Sequence, residues 1–241
     1  MREIVLDTET TGFEPFEGDR IVEIGAIELM NHMPTGRTYH QYINPKRSMP
    51  EGAFGIHGIG PDLREPPQDP KPGQVTLRDK PVFADIAQAF VDFIGDSRLI
   101  IHNAAFDMKF LNAELGWTKR KLLPMDQSLD TLAIARKKFP GSPASLDALC
   151  RRFGIDNTNR TLHGALLDSE ILAEVYLELI GGRQPDLVMH GKTDKSSKSA
   201  VGANWRAYPR PVPLGSKIKV AEAETHAAFV DTLGEKALWK T

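Results

Sequence analysis

The stretch Ile4-Val5-Leu6-Asp7-Thr8-Glu9-Thr10-Thr11-Gly12 is the most informative part of this 241-residue chain for its fold. Its apolar start predicts a short buried strand, and the two acids come directly after it. Because side chains on a strand alternate between faces, Asp7 and Glu9 project on the same side. Two carboxylates that close repel each other unless a cation lies between them. A polar strand end leading into a turn closed by Gly12 explains this motif equally well.

A second stretch, His102-Asn103-Ala104-Ala105-Phe106-Asp107, follows the apolar Leu99-Ile100-Ile101. The pattern predicts a buried strand and then a helix, with Asp107 in its first turn or two. Ligands gather at that position in α/β sheets. An acid there also complements the helix dipole by about 0.3–1 kcal/mol, so Asp107 taken alone favours a structural interpretation.

The third stretch is His163-Gly164-Ala165-Leu166-Leu167-Asp168. Its histidine and aspartate are separated by about 140° around an ideal helix, so they cannot share a helix face. We therefore expect His163 in the loop or first turn and Asp168 inside the helix. A mobile imidazole beside a fixed carboxylate suits a general base next to a metal ligand. For this pair alone, a capping histidine and a solvated aspartate are the simpler interpretation.

Composition narrows the class of protein. With 41% hydrophobic and 26% charged residues, the chain has an ordinary globular composition. The single cysteine, Cys150, excludes an intrachain disulfide, and its apolar neighbours predict a buried structural thiol. No stretch approaches the ~18 apolar residues of a membrane helix, and the N-terminus lacks the apolar run of a signal peptide. We expect a cytoplasmic protein with no membrane partner.

The net charge of −2 is unevenly distributed. Residues 1–184 hold 21 basic and 26 acidic residues, giving −5, whereas residues 185–241 hold 9 basic and 6 acidic residues, giving +3. An acidic catalytic region does not suit a purely electrostatic grip on nucleic acid. Metal ions would have to screen the site, and we expect a partner to supply part of the affinity.

Alternating strand and helix patterns predict one α/β domain over residues 1–182. The expected strands are 4–6, 21–29, 38–43 and 99–101, with a hairpin turn at 31–36. The expected helices are 83–94, one that starts near 106, 131–138, 145–153 and 166–180. Six prolines between residues 60 and 81 predict a surface loop. Residues 183–220 predict a flexible linker, and residues 221–241 a C-terminal segment with a marginal helix at 221–233 capped by Gly234.

Together, the three acid motifs resemble those of the DEDDh, or DnaQ-like, 3′→5′ exonucleases, in family order over residues 3–182. Residues 145–150 and 160–168 are similar to the proofreading (epsilon) branch that belongs to bacterial DNA polymerase III. The resemblance implies a ribonuclease H-like α/β fold, a mixed sheet of about five strands flanked by helices, with a flexible C-terminal tail. Relative to that pattern, the Pro-rich stretch 61–74 looks like an insertion that leaves the motifs intact.

The resemblance also implies roles for particular residues. The general base is His163, and the metal ligands are Asp7, Glu9, Asp107 and Asp168. The implied cofactors are two divalent cations, Mg²⁺ or Mn²⁺, which bracket a scissile phosphate. The implied substrate contacts are Thr10, Ile56, His57 and Phe106, with Ile56 as a wedge and His57 touching the terminal nucleotide. A helix core position explains Phe106 equally well.

The implied activity is removal of mismatched nucleotides from DNA 3′ ends by a proofreading subunit in the nucleoid-associated replisome. The implied partners are the DNA 3′ end and the DNA polymerase III alpha subunit, the latter through residues 221–241. Gln184–Met189 loosely resembles a sliding-clamp-binding peptide, with Met189 in place of the usual aromatic residue, and a plain linker is the alternative. Two other functions stay open: an RNA 3′-trimming exonuclease, and a mainly structural subunit that stabilises the polymerase.

Overall fold

The computed structural model describes residues 1–158, 162–181 and 218–233. The chain forms two compact units, Met1–Leu187 and Val188–Thr241. The predicted clamp-binding peptide and most of the predicted linker lie outside the described residues, as does the predicted cap Gly234. Within the described ranges, no helix has the length and apolar character needed to cross a bilayer.

Five strands form one mixed sheet in the first unit, in the order β3-β2-β1-β4-β5. They are β1 (Arg2–Thr10), β2 (Ile21–Met30), β3 (Met33–Tyr42), β4 (Arg98–Ile101) and β5 (Ser128–Asp130). The β1–β2 and β2–β3 pairs are antiparallel, whereas β4 pairs in parallel with both β1 and β5. The expected mixed sheet of five strands is confirmed, although the short strand β5 was not predicted.

The hairpin between β2 and β3 turns in fewer residues than the sequence suggested. Asn31 and His32 both have positive φ, 51° and 66°, and Met30 pairs directly with Met33. Two consecutive positive φ values match the right-handed twist of the flanking strands. The predicted turn over 31–36 is therefore wrong, and β3 begins before the predicted Thr38. Pro34 is tolerated because β3 is an edge strand, where a missing N–H is not needed.

Among the described residues of the first unit, six α-helices surround the sheet. They are α1 (Glu51–His57), α2 (Phe83–Ile94), α3 (Ala104–Trp117), α4 (Thr131–Lys138), α5 (Leu146–Phe153) and α6 (Ala165–Leu179). The predictions for α2 to α6 are confirmed within two residues at each predicted end. The short helix α1 was not predicted, because two glycines interrupt its apolar pattern.

Helices cover both faces of the sheet. Ile4 and Leu6 of β1 pack into the core formed with α2 and α3, whereas Val5 packs with Leu172 and Tyr176 of α6. Helices α4 and α5 pack on the outer side of α6, where Cys150 is fully buried as predicted. Since the odd-numbered residues of β1 face α6, Asp7 and Glu9 point to the side of the sheet that α6 covers.

The pairing of β1 with β2 is irregular at its last residues. Glu9 pairs with Glu23, but the next pair is Thr10 with Ile21, so β2 carries an extra residue there. Ile21 consequently packs with Ile24 in the α2–α3 core. Uninterrupted alternation along β2 would have placed Ile21 on the same face as Glu23, and the extra residue prevents this.

The start of α6 lies unusually close to β2, at Gly25. A Cβ atom on Gly25 would lie 2.2 Å from the Ala165 carbonyl carbon and from the Leu166 nitrogen. The Ser169 hydroxyl also donates a hydrogen bond of 3.0 Å to the Gly25 carbonyl. Only glycine therefore allows the helix that carries Asp168 to reach the sheet.

The Pro-rich loop, residues 60–81, is a surface loop as predicted, but its second half is fixed to the domain. Leu77 is fully buried and packs with Met49 and Ile59. The Asp62 carboxylate accepts hydrogen bonds from the backbone N–H groups of Leu77 (3.0 Å) and Arg78 (2.9 Å). Both contacts hold the end of the loop against the remainder of the first unit.

In the second unit, α7 (Val220–Thr232) matches the helix predicted at 221–233. Val230 is buried, whereas the Phe229 and Leu233 side chains are 61% and 44% exposed. A helix of this length is marginal alone, and its exposed apolar side chains suit contact with another surface.

We predict that Gly25→Ala destabilises the protein by about 3 kcal/mol, because the added methyl group would overlap backbone atoms that cannot move away cheaply. Urea unfolding followed by circular dichroism measures the change in the free energy of unfolding.

Gly52→Ala is the matched control, because a Cβ at Gly52 meets nothing within 4 Å and alanine favours the helix α1. Equal unfolding free energies for the Gly25→Ala and Gly52→Ala proteins would contradict the close approach of α6 to β2.

Candidate active site

Asp7 and Glu9 lie within β1 rather than after it, because β1 continues to Thr10. They still share a face, as predicted. Asp7 is partly exposed, whereas Glu9 is 8% exposed. The strand thus presents one partly exposed carboxylate and one buried carboxylate.

Asp107 lies in the first turns of α3, as predicted, and is 3% exposed. The Thr8 hydroxyl donates a hydrogen bond of 2.7 Å to its Oδ1. The chain enters α3 through Asn103, which has a φ of 67°, a left-handed conformation that asparagine tolerates better than most residues. The role of Thr8 could not be predicted from the sequence, because a threonine in a strand carries no signal of its own.

His163 precedes α6 and Asp168 lies inside it, which confirms the expected split between loop and helix. The His163 imidazole is about half exposed, and its Nδ1 is 3.5 Å from Oδ2 of the buried Asp168. One ligand atom each from Glu9, His163 and Asp168 lie within 4.8 Å of one another, a spacing at which these groups could hold a metal ion. The first and third motifs are thus brought together by β1 and α6.

Glu23 is a further buried acid that the sequence analysis did not single out. Its side chain is 2% exposed and lies beside Glu9 in the β1–β2 pairing. Its Oε2 accepts a hydrogen bond of 2.9 Å from the Ala165 N–H, and Oε1 lies 2.6 Å from His40 Nε2. Gly164 has no side chain to cap α6, so Glu23 performs that role from another strand. An acid amid the apolar residues of β2 was the available signal.

Two of the clustered acids, Asp7 and Asp107, have raised pKa values. The pKa of Asp7 is well above its usual range, chiefly through loss of hydration and then through the negative charges of Asp107, Glu9 and Asp168. Burial raises the pKa of Asp107 to about 7, although the Thr8 hydrogen bond opposes this. Hard divalent cations prefer oxygen ligands, and one would replace these protons and relieve the repulsion. The residues present therefore fit the implied metal site.

The predicted substrate residues are distributed around this cluster. Thr10 is buried, and its hydroxyl donates to the Gly12 carbonyl at 2.6 Å. Ile56 is 44% exposed, and its carbonyl accepts a hydrogen bond from the His163 N–H at 3.1 Å. Phe106 is partly buried against Phe110, so core packing accounts for part of its surface. A direct link therefore joins α1 to the loop of His163.

His57 is buried, which leaves only a small part of its ring to touch a substrate. Its Nδ1 accepts a hydrogen bond of 3.0 Å from the Ile59 N–H. Burial lowers the pKa of His57 to about 4, although the Thr10 backbone and Glu23 oppose the shift. The His57 side chain is therefore neutral near pH 7.

Comparisons with known proteins agree with this geometry. The family model described as Exonuclease (RNase_T) matches residues 4–176. The DNA polymerase III subunit epsilon of Rickettsia felis is 53% identical over 203 residues, 83% of this chain and 83% of its own length. The subunit of the same name from Escherichia coli K12 is 42% identical over 255 aligned residues, 99% of this chain and 97% of its own length.

Among solved structures, the nuclease domain of 3′hExo, described as a DEDDh family member bound to rAMP, superposes with a TM-score of 0.58. It is 18% identical and covers 74% of this chain and 91% of that chain. At this identity the likeness shows the fold alone, and it confirms the expected ribonuclease H-like class.

We predict that Glu23→Ala lowers the free energy of unfolding by about 1–3 kcal/mol, because it leaves the Ala165 N–H and His40 without their partner. Nuclease kcat should fall as well, because the start of α6 positions His163 and Asp168. Denaturant unfolding and steady-state kinetics measure the two effects.

Glu23→Gln should lose less of both quantities, since an amide oxygen still accepts the Ala165 hydrogen bond. The exposed Glu17→Ala serves as the control. An unchanged kcat in Glu23→Ala would show that this cap does not position the site.

A second prediction concerns pH. The folded-state pKa of Asp107 is about 7, above its ordinary 3.8, so the folded protein holds a proton that the unfolded chain has lost between these values. The metal-free protein should therefore lose stability as the pH rises from about 5 to about 8, and added Mn²⁺ should restore it. Tm measured by calorimetry across this range checks the direction.

Asp107→Asn should raise the metal-free Tm by a few degrees at about pH 8, because the buried charge is gone. The exposed Asp96→Asn should leave Tm unchanged. A lower Tm for Asp107→Asn at that pH would refute the claim that the buried charge of Asp107 destabilises the metal-free protein.

Proposed function

Because the chain belongs to the RNase_T exonuclease family and, within it, to the DNA polymerase III epsilon subunits, we propose that it removes mismatched nucleotides from DNA 3′ ends as a proofreading subunit. The approach of Glu9, His163 and Asp168 within 4.8 Å is the observation that carries this proposal. The relatives are polymerase subunits, so RNA trimming is not favoured. A cytoplasmic location goes with this role.

The enzyme is metal-dependent, as its family is, and we assign Mg²⁺ or Mn²⁺ as the cations. Bound cations would supply charge stabilisation at the phosphate and make a bound water more acidic. Asp7, Glu9, Asp107 and Asp168 would hold them, and the Thr8 hydroxyl would fix the orientation of the Asp107 carboxylate.

His163 would take the proton from the attacking water. Its half-exposed ring gives it access to solvent, and the nearby Asp168 carboxylate favours a proton on Nδ1. The other ring nitrogen, Nε2, then carries the lone pair that would accept the proton. The hydrogen bond from the His163 N–H to Ile56 would keep this loop beside the residues assigned to the terminal nucleotide.

Preference for mismatches does not require contacts that read the bases. A single-stranded end must enter the site, and melting a correct terminal pair costs about one stacking step, ~1.4 kcal/mol. A mismatched end is already frayed, so a preference of roughly tenfold follows from that difference.

The organisation of the chain follows the same proposal. Residues 1–182 would form the exonuclease domain, residues 183–220 a linker and residues 221–241 the segment that binds the polymerase alpha subunit. The exposed Phe229 and Leu233 of α7 suit a helix that lies in an apolar groove. Gln184–Met189 remains our candidate for contact with the sliding clamp.

Digestion of 5′-labelled primers in Mg²⁺ tests the function. A primer with a mismatched DNA 3′ end should be shortened one nucleotide at a time, faster than its paired counterpart and faster than an RNA of the same sequence. Faster shortening of the RNA would move the protein to RNA processing.

Asp7→Ala should lower kcat by at least about 100-fold, because several kcal/mol of transition-state stabilisation would be lost. Asp96→Asn, which changes an exposed acid, is the control. An Asp7→Ala enzyme that keeps more than a few per cent of the activity would refute the role of Asp7.

A further inference from the structure

A cleft of about 370 Å³ opens beside His163. Its walls come from the His163–Gly164 loop, from His57 at the end of α1, and from residues 71–75 of the Pro-rich loop. This volume lies within the range of small-molecule sites and is large enough for one nucleotide. The carboxylates assigned to metal, Thr10 and Phe106 do not line it, but His57 and His163 do, so the cleft adjoins the site proposed for the terminal nucleotide.

The outer wall of the cleft is a well-defined turn, Lys71-Pro72-Gly73-Gln74. The Gln74 N–H donates to the Lys71 carbonyl at 2.9 Å, and Gly73 has a φ of 85°. Proline followed by a glycine of positive φ is the pattern of a type II turn. The Gln74 side chain also accepts a hydrogen bond of 3.0 Å from the Lys71 N–H. The turn therefore has a fixed shape.

The residues that follow attach this turn to the domain. The Gly60 N–H donates to the Val75 carbonyl at 2.8 Å, and Leu77 is fully buried two residues later. The loop therefore holds Lys71 at the mouth of the cleft instead of letting it swing freely through solvent.

Lys71 is an uncommitted positive charge in an acidic unit. Among the described residues its ammonium group has no hydrogen bond or ion pair, a state that it shares with other exposed lysines such as Lys137. Within the cleft, Glu23 already binds the Ala165 N–H and His40, and His57 is neutral. A group with one negative charge would complement Lys71.

We propose that this cleft binds the nucleotide on the 5′ side of the scissile bond, and that Lys71 contacts a phosphate of that nucleotide. The inference rests on the proposed function. A strand whose terminal nucleotide lies among Thr10, Ile56 and Phe106 would continue past His163, and the cleft is the neighbouring space that His163 lines. The Pro-rich loop would thereby bring a positive charge to the strand in a domain whose net charge is negative.

The test compares full-length wild type, Lys71→Ala and Lys71→Glu on two substrates. One is a single-stranded DNA oligonucleotide, and the other is the p-nitrophenyl ester of a nucleoside 5′-monophosphate, which has no upstream nucleotide. On the strand, kcat/KM should fall about threefold for Lys71→Ala and about tenfold for Lys71→Glu, mainly through KM. On the ester, kcat/KM should equal that of the wild type.

Salt dependence gives an independent measurement. Loss of one phosphate contact on a single strand should reduce the slope of log kcat/KM against log salt concentration by about 0.7 for Lys71→Ala. Lys71→Arg should keep the slope. Lys137→Glu, a charge reversal at an exposed lysine at the end of α4, is the matched control.

Wild-type kcat/KM and an unchanged slope on the strand for Lys71→Glu would overturn the inference. An equal loss on strand and ester would also overturn it, because Lys71 would then act at the reacting phosphate or on the shape of the site. If the wild type fails to shorten the strand in Mg²⁺, the proposed function itself is wrong, and the assignment of the cleft falls with it.

Discussion

The packing of the start of α6 against β2 is the constraint on which the site depends. The Glu23 carboxylate caps the helix from the neighbouring strand, and Gly25 leaves room for the first turn. These contacts join residues about 140 positions apart in the chain. Without this packing of α6 against β2, Asp168 would not face the acids of β1, and the loop that carries His163 would not be held in place. The geometry of the cluster is therefore a product of helix packing more than of the acids themselves.

The acids work against the fold that holds them. Helices cover both faces of the sheet, so Asp7 on β1 and Asp107 on α3 lose hydration, and the negative charges of neighbouring acids add to that cost. A bound cation would offset this cost, because it would neutralise the negative charges of the carboxylates. The Thr8 hydroxyl eases it for Asp107 alone. The same few carboxylates therefore lower the stability of the metal-free protein and provide its affinity for metal.

Much of this arrangement could be predicted from the sequence. The spacing of Phe83, Ile86 and Phe90 predicts α2, and the division between His163 in the loop and Asp168 in the helix follows from helix geometry. What could not be predicted depends on distant contacts. Pairing with β2 decides where β3 begins, and the extra residue in β2 places Ile21 on the face that α2 and α3 cover. Glu23 caps α6 only because that helix comes close to β2. The motif residues themselves were found because they resemble a known family.

Gly25 and the acids would respond differently to evolutionary drift. Gly25 is fixed by backbone overlap with α6, whatever chemistry the protein performs. Packing does not require the acids in this way, and their charges destabilise the fold when no cation is present. A descendant relieved of selection for catalysis would keep the glycine and shed the carboxylates, and would gain thermal stability as it became inactive. Glycine at this position therefore identifies the architecture, whereas only the acids indicate a working nuclease.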